Sequence, residues 1–261
     1  MRILAPILST IMIFLTPGLV LAQEGQATCI GCMALPANPT EQKAQVVRNT
    51  VIHDQAGLVT AKVLDYWGIG KACSKFADKN GFGSYAKVIN DILTPETHPG
   101  LFAGTKDIQK HCKSFPLFDD QQKKNFYTYV TAHLAYAESS CDPTQHAAGP
   151  NGRANGLLQL HKGMEQTYTV KDHFITKCRK GDSKNAEKSL RCAMSMLDGQ
   201  LTVKDEFFAR TGYWGPYTPQ TRKKVTVQFK DPKRPNRRLP ARKMNANAFI
   251  KAAIKMYPYC K

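Results

Sequence analysis

Asp119-Asp-Gln-Gln-Lys-Lys-Asn-Phe126-Tyr-Thr-Tyr-Val130-Thr-Ala-His-Leu134-Ala-Tyr-Ala137-Glu138-Ser139-Ser-Cys141-Asp142-Pro143 is the stretch on which the reading of this chain turns. Phe126, Val130, Leu134 and Ala137 recur at the helical period, with Tyr129 and His133 beside them, which predicts an amphipathic helix. Asp119 or Asp120 is a capping acid at its start. Asp142-Pro143 predicts its end, because a residue before proline is pushed out of the α region. Glu138 falls on the 126, 130, 134, 138 row, in line with apolar side chains, where a solvated glutamate does not belong. Desolvation and the negative end of the helix dipole both disfavour the ionised carboxylate there, raising its pKa toward what a general acid needs. A glutamate fraying into solvent at a helix end is the alternative, and position alone does not separate the two.

The residues that follow do separate them. Gly149-Pro-Asn-Gly-Arg-Ala-Asn155-Gly156-Leu157-Leu158-Gln159 is a glycine-rich turn region, with Asn155-Gly156 a tight-turn dipeptide and 157–160 a short strand or a helix start. Together with Glu138-Ser139-Ser140-Cys141-Asp142-Pro143 it resembles the signature of the soluble lytic transglycosylases (SLT-type) and their goose-type lysozyme relatives. That signature is a helix-ending Glu-Ser, an Asp/Asn-Pro shortly after, and Gly-Ala-x-Gly-Leu-Met-Gln. Leu158 stands where the family has methionine. The match covers roughly thirty residues directly and, more loosely, Phe126 to Tyr217; several unlike residues recur in order, which makes it specific.

The resemblance implies a mainly α (α+β) fold with a lysozyme-like catalytic domain, and cleavage of peptidoglycan glycan strands between N-acetylmuramic acid and N-acetylglucosamine. Carried over residue by residue, it makes Glu138 the acid and later the base, Gln159 a cleft residue near the bound sugar, and Ser139 a support for the glutamate. The family's later Tyr-Asn-x-Gly element has its counterpart in Tyr213-Trp214-Gly215-Pro216, where tryptophan replaces asparagine. Tyr213 is then the candidate for a hydrogen bond to the catalytic carboxyl, and the sugar contacts differ. Ordinary glycosidases use two carboxylates, roughly 5 to 5.5 Å apart for retention or about 6.5 to 9.5 Å for inversion. Asp142 is the nearest second acid, but an Asp-Pro turn accounts for it. A single glutamate suits the lytic transglycosylase route, in which the muramoyl 6-hydroxyl closes an anhydro ring. Hydrolysis by water at the same site, a preference for modified glycan such as the N-deacetylated form, and a noncatalytic basic wall-binding protein are the alternatives.

The remaining sequence sets the context. Arg2 and the apolar run Ile3–Leu21, ending in small residues, predict a cleaved secretory signal over residues 1–22. Removing it leaves 239 of 261 residues, enough for one substantial core or two small subdomains. We expect a helical subdomain over 23–115 and the lysozyme-like domain over 116–261, in an exported protein, periplasmic or secreted, without stable membrane insertion. Cys29, Cys32, Cys73, Cys112, Cys141, Cys178, Cys192 and Cys260 are an even set bound for an oxidising compartment, so disulfides are expected. Cys141 should anchor the segment after Glu138, and Cys260 should staple the terminus. A thiol hydrolase built on Cys141 with His133, His146 or His161 is the rival to that reading. No metal-ligand spacing stands out among the histidines, and no cofactor is expected.

The formal charge of +17 favours an anionic polymer or surface as partner; export and the lack of a recognisable motif argue against nucleic acid. Arg222 to Lys243 carries ten basic residues and one acidic, and reads as a basic loop or hairpin with one strand near Val225–Phe229. Further helices are expected from Thr40 through Leu58, at Tyr85–Leu93, from Asp182 or Ser183 to Leu201, and after a capping Asn245. Thr94-Pro95 and Pro99-Gly100 mark a loop, and Trp67 is expected in the core.

Overall fold

The computed structural model describes residues 55–149, 152–170, 173–174 and 178–260. The signal segment, the Thr40 cap, Cys29 and Cys32 lie outside the described residues. The fold is mixed helix and sheet: helices form the core and short antiparallel ribbons lie around it.

The first described helix, α1 (residues 55–66), leads into Trp67, which is buried as expected. A minimal strand pair follows, β1 (Ala77–Asp78) with β2 (Gly81–Phe82), and then α2 (Ser84–Ile92). Where a loop was expected, Pro99–Ala103 forms a short helix, α3. Proline at the first helical position loses only an N–H that has no partner there, so Pro99 opens the helix instead of preventing it. The next helix, α4 (Lys106–His111), is capped by Thr105.

Asp120–Ser139 is α5, and Asp119 caps it in a reciprocal box: its side chain accepts from Gln122 N at 2.7 Å while Asp119 N donates to the Gln122 side chain at 3.0 Å. The expected apolar stripe is buried with His133 beside it, but so are Asn125, Thr128 and Thr131 on other faces. Helices α2 and α3 and the C-terminal helix α7 (Ala246–Met256) all pack on α5, which makes it a central helix and not an amphipathic surface one. Its tyrosines reach those neighbours: Tyr127 OH donates to Leu101 O at 2.8 Å and Tyr129 OH to Ala253 O at 2.6 Å.

After α5 come β3 (His146–Gly149), β4 (Gly152–Asn155) and β5 (Leu160–His161), an antiparallel sheet in the order β3-β4-β5. The glycine-rich turn region is thus largely a hairpin, since Ala147–Ala154 and His146–Asn155 pair across it. Thr169–Val170 (β6) pairs with His173–Phe174 (β7). Helix α6 (Ala186–Lys204) begins later than expected: Asp182–Lys184 is a separate 3-10 turn, and Asn185 caps the helix by accepting from Lys188 N. The basic segment forms two ribbons, β8 (Lys224–Val227) with β11 (Arg242–Asn245), and β9 (Lys230–Asp231) with β10 (Arg234–Arg238). Asn245 caps α7, accepting from Asn247 N and Ala248 N.

One hydrophobic cluster runs from Val63 to Tyr257 through the helices, β5 and β8. Among the described residues three disulfides fasten it: Cys73–Cys141, Cys112–Cys260 and Cys178–Cys192. Cys141 thus anchors the segment after Glu138, and Cys260 staples the terminus. The thiol-hydrolase reading is overturned, because the sulfur of Cys141 is spent in its bond to Cys73. Among the described residues no helix is long and apolar enough to cross a membrane.

Candidate functional site

Helix α5 stops at Ser139, short of the expected Asp142-Pro143 boundary. Ser140 and Cys141 both take the left-handed conformation, at φ 58° and 61°, and their amides bond back to Tyr136 O and Ala135 O. Such a cap satisfies the last carbonyls of the helix, and the Cys73 disulfide holds it. Glu138 is left on the last turn with its side chain only 8% exposed.

Among the described residues the carboxylate of Glu138 meets one cation. Lys223, just before β8, places Nζ 2.5 Å from Oε2 and 3.5 Å from the carbonyl oxygen of Glu138. Burial is the largest influence on the acid and pushes its pKa up; the charge and hydrogen bond of Lys223 pull the other way, and the net shift is upward. Nothing in the helical pattern signals Lys223, which comes from a ribbon 85 residues downstream.

Ser139 is buried, and its hydroxyl is shared between Ala135 O at 3.1 Å and Leu157 O at 2.8 Å. It therefore ties the end of α5 to the Gly156–Gln159 segment. Gly156 has φ +74°, and a Cβ there would strike Ser183 O, so the turn requires glycine. Gln159 is half-buried with φ 50°, and its Nε2 donates to Gln145 O at 3.1 Å and Gly156 O at 2.9 Å. Its amide nitrogen stitches the loop to itself.

The expected hydrogen bond from Tyr213 to Glu138 is not made. The Tyr213 hydroxyl instead accepts from His161 N at 3.0 Å, lies 3.0 Å from the Tyr168 hydroxyl and 3.2 Å from His161 Nδ1, and donates to Gln159 O at 3.2 Å. The backbone of β5 and Tyr168 outcompete the carboxyl for this phenol. Burial raises the pKa of Tyr213, and the charge of Glu138 adds to it in a lesser degree. Trp214 donates Nε1–H to Leu158 O at 3.1 Å, so the tryptophan that replaces the family's asparagine satisfies a buried carbonyl of the same segment. Tyr217 is fully buried, and among the described residues its hydroxyl has no hydrogen-bond partner.

Asp142 is a turn residue. It accepts from Thr144 N at 2.8 Å, Thr144 Oγ1 at 2.7 Å and Gln145 Nε2 at 3.1 Å, bonds that hold its carboxyl below the usual range. Glu165 is buried but accepts backbone N–H from Gly163 and Ser183; burial opposes ionisation, yet the hydrogen bonds win and its pKa is lowered. His133 is sealed in the core, where burial lowers its pKa to about 4, and His146 is exposed on the hairpin. The structure therefore gathers Glu138, Ser139, Lys223 and the Gly156–Gln159 segment, with Tyr168, His161 and Tyr213 behind that segment.

No family model matches the chain, and no curated protein matches it. Its fold is similar to that of wild-type DslA in its form 2, with a TM-score of 0.46 at 15% identity, covering 68% of this chain and 91% of that one. It is similar over the same shares to two mutants of DslA, with TM-scores of 0.45 at 15% identity and 0.46 at 14%.

Proposed function

We propose that the chain is a lysozyme-like enzyme of the SLT type, its residues 116–261 forming the catalytic domain, which cleaves peptidoglycan glycan strands with Glu138 as the acid and acts as a lytic transglycosylase. The observation that carries this reading is the buried Glu138 carboxyl with its upward-shifted pKa, fixed through Ser139 to the Gly156–Gln159 segment. A carboxyl that burial keeps protonated can serve as a general acid for a glycosidic oxygen.

Proton transfer from Glu138 to the oxygen between N-acetylmuramic acid and N-acetylglucosamine releases the leaving sugar and leaves the carboxylate ionised. Lys223 then faces the newly formed charge at hydrogen-bond distance, which stabilises this state without reorganisation. Two other candidate acids are engaged elsewhere, Asp142 by Thr144 and Gln145 and Glu165 by backbone amides, so Glu138 itself serves as the base. It takes the proton of the muramoyl 6-hydroxyl as that oxygen closes on the anomeric carbon, which returns the acid to its starting form. The Gly156–Gln159 segment is the wall that meets the sugars in this reading, with Gln159 fastening the loop and the Tyr213 cluster bracing it from behind. The disulfides fit an exported protein, since such bonds persist in oxidising compartments.

Digestion of purified sacculi by wild type and by Glu138→Gln, with mass spectrometry of the released fragments, tests the proposal. Anhydro-ended muropeptides from wild type and none from a folded Glu138→Gln variant are expected. Equal release by the variant removes Glu138 from its role, and reducing ends in place of anhydro ends replace the transglycosylase by a hydrolase.

A further inference from the structure

The basic ribbon is built onto the candidate site. Tyr136 OH donates to Thr226 O at 2.6 Å, which seats β8 on α5 two residues before Glu138, and Lys223 completes the join at the carboxyl. From that point the strand alternates: Val225 and Val227 are buried, while Lys224 and Thr226 face solvent. On β11, Lys243 stands opposite Thr226 and so shares the outer face with Lys224. Beyond it the second ribbon is exposed along all of β10.

Some of the ribbon's charges have evident structural work. Arg238 and Lys230 pair with Asp65 of α1, Arg234 lies 3.4 Å from Asp231, and Phe229 packs on Trp67 at 4.8 Å between ring centroids, so the ribbon is pinned at its far end. Six other cations, Arg222, Lys224, Lys233, Arg237, Arg242 and Lys243, are exposed and make no ion pair with any of the described residues. Like charges close together on one ribbon repel and destabilise it, so six such cations, with Asp231 and Asp65 already engaged by Arg234, Lys230 and Arg238, have no stabilising rationale. Four residues of strand from Lys224 carry the row about 13 Å from the site.

From this we infer that the 222–243 ribbon is a substrate arm that grips the carboxylates of the peptide stems flanking the glycan at Glu138, so that the preferred substrate is peptide-bearing and not naked glycan. The inference rests on the proposed function, since it takes its ligand from that reading. A row of exposed cations leading away from a glycan site matches a polymer whose sugars bear acidic side branches at intervals, and its long-range attraction concentrates such a polymer at the site. Lys223 is excluded from the arm because Glu138 engages it.

The test is co-sedimentation of full-length protein with purified sacculi. A Lys224→Gln/Arg237→Gln/Lys243→Gln variant is compared with wild type at about 0.01 M and about 1 M salt, where the Debye length is about 30 Å and about 3 Å. All three positions are exposed, and circular dichroism checks the fold. Each contact is expected to contribute roughly two- to threefold, giving about a tenfold weaker affinity for the triple variant at low salt and little difference at high salt. Capping the stem carboxylates with a carbodiimide and a neutral amine should bring wild type to the variant's affinity. Unchanged affinity on either the substitution or the capping overturns the arm. Binding is read without turnover, so a Glu138→Gln variant that still cleaves sinks the proposed function separately from the arm.

Discussion

Replacing Ser139 with alanine tests the joint between the candidate acid and the segment expected to hold the sugar. Ser139 is 6% exposed and its hydroxyl is shared between two carbonyls. Ala135 O also receives Cys141 N at 3.1 Å, so it stays satisfied when the hydroxyl is gone. Leu157 O, on a fully buried residue, loses its donor. An orphaned buried carbonyl costs about 1 to 3 kcal/mol, and the better helix propensity of alanine returns a few tenths, at most about 0.5 kcal/mol. The net expectation is a loss of about 0.5 to 2.5 kcal/mol, or roughly 1 to 10 °C in Tm for a domain of this size. Urea unfolding should show a lower midpoint with an unchanged slope. Because the same bond sets the distance from Glu138 to the Gly156–Gln159 segment, turnover on sacculi should fall well beyond the change in folded fraction, up to on the order of a hundredfold for a displacement of about 1 Å. An unchanged urea midpoint refutes the bond. A lowered midpoint with undiminished turnover refutes its role in the site.

Two further outcomes follow from the geometry. In Lys223→Met the ammonium that pulls the Glu138 pKa down is gone while burial remains. The acid then keeps its proton to higher pH, so the alkaline limb of the pH profile for turnover should move upward; a limb that stays or moves down shows that Lys223 does not set the acid. Opening the Cys73–Cys141 disulfide, whose ends are 68 residues apart, by the double substitution Cys73→Ser/Cys141→Ser should cost roughly 4 kcal/mol on loop entropy. It should also release the left-handed cap behind Glu138, and chemical denaturation paired with turnover measures both.

How far the sequence carries depends on whether the signal is local. Asp119, one of the two candidate caps of α5, and Asn245 before α7 are capping geometries confined to one turn, and both appear, Asp119 with Gln122 as its partner. The hairpin His146–Asn155 reads as turns in the sequence because Gly149, Gly152 and Gly156 fall at the ends of its short strands. The early stop of α5 escaped because it depends on two non-glycine residues in the left-handed region, held by a disulfide partner 68 residues away. At the site, the place of Glu138 on a buried row is periodic and was legible. What acts on its charge is not: Lys223 arrives from a separate ribbon, and Tyr168 and His161 draw the Tyr213 hydroxyl away from it. Periodicity reports which face of an element is buried, and so it finds a desolvated acid; the counter-charge that tunes the acid is a tertiary fact. A sequence reading of such a site therefore overstates how strongly burial alone raises the carboxyl, by the opposing pull of whichever cation the fold brings alongside.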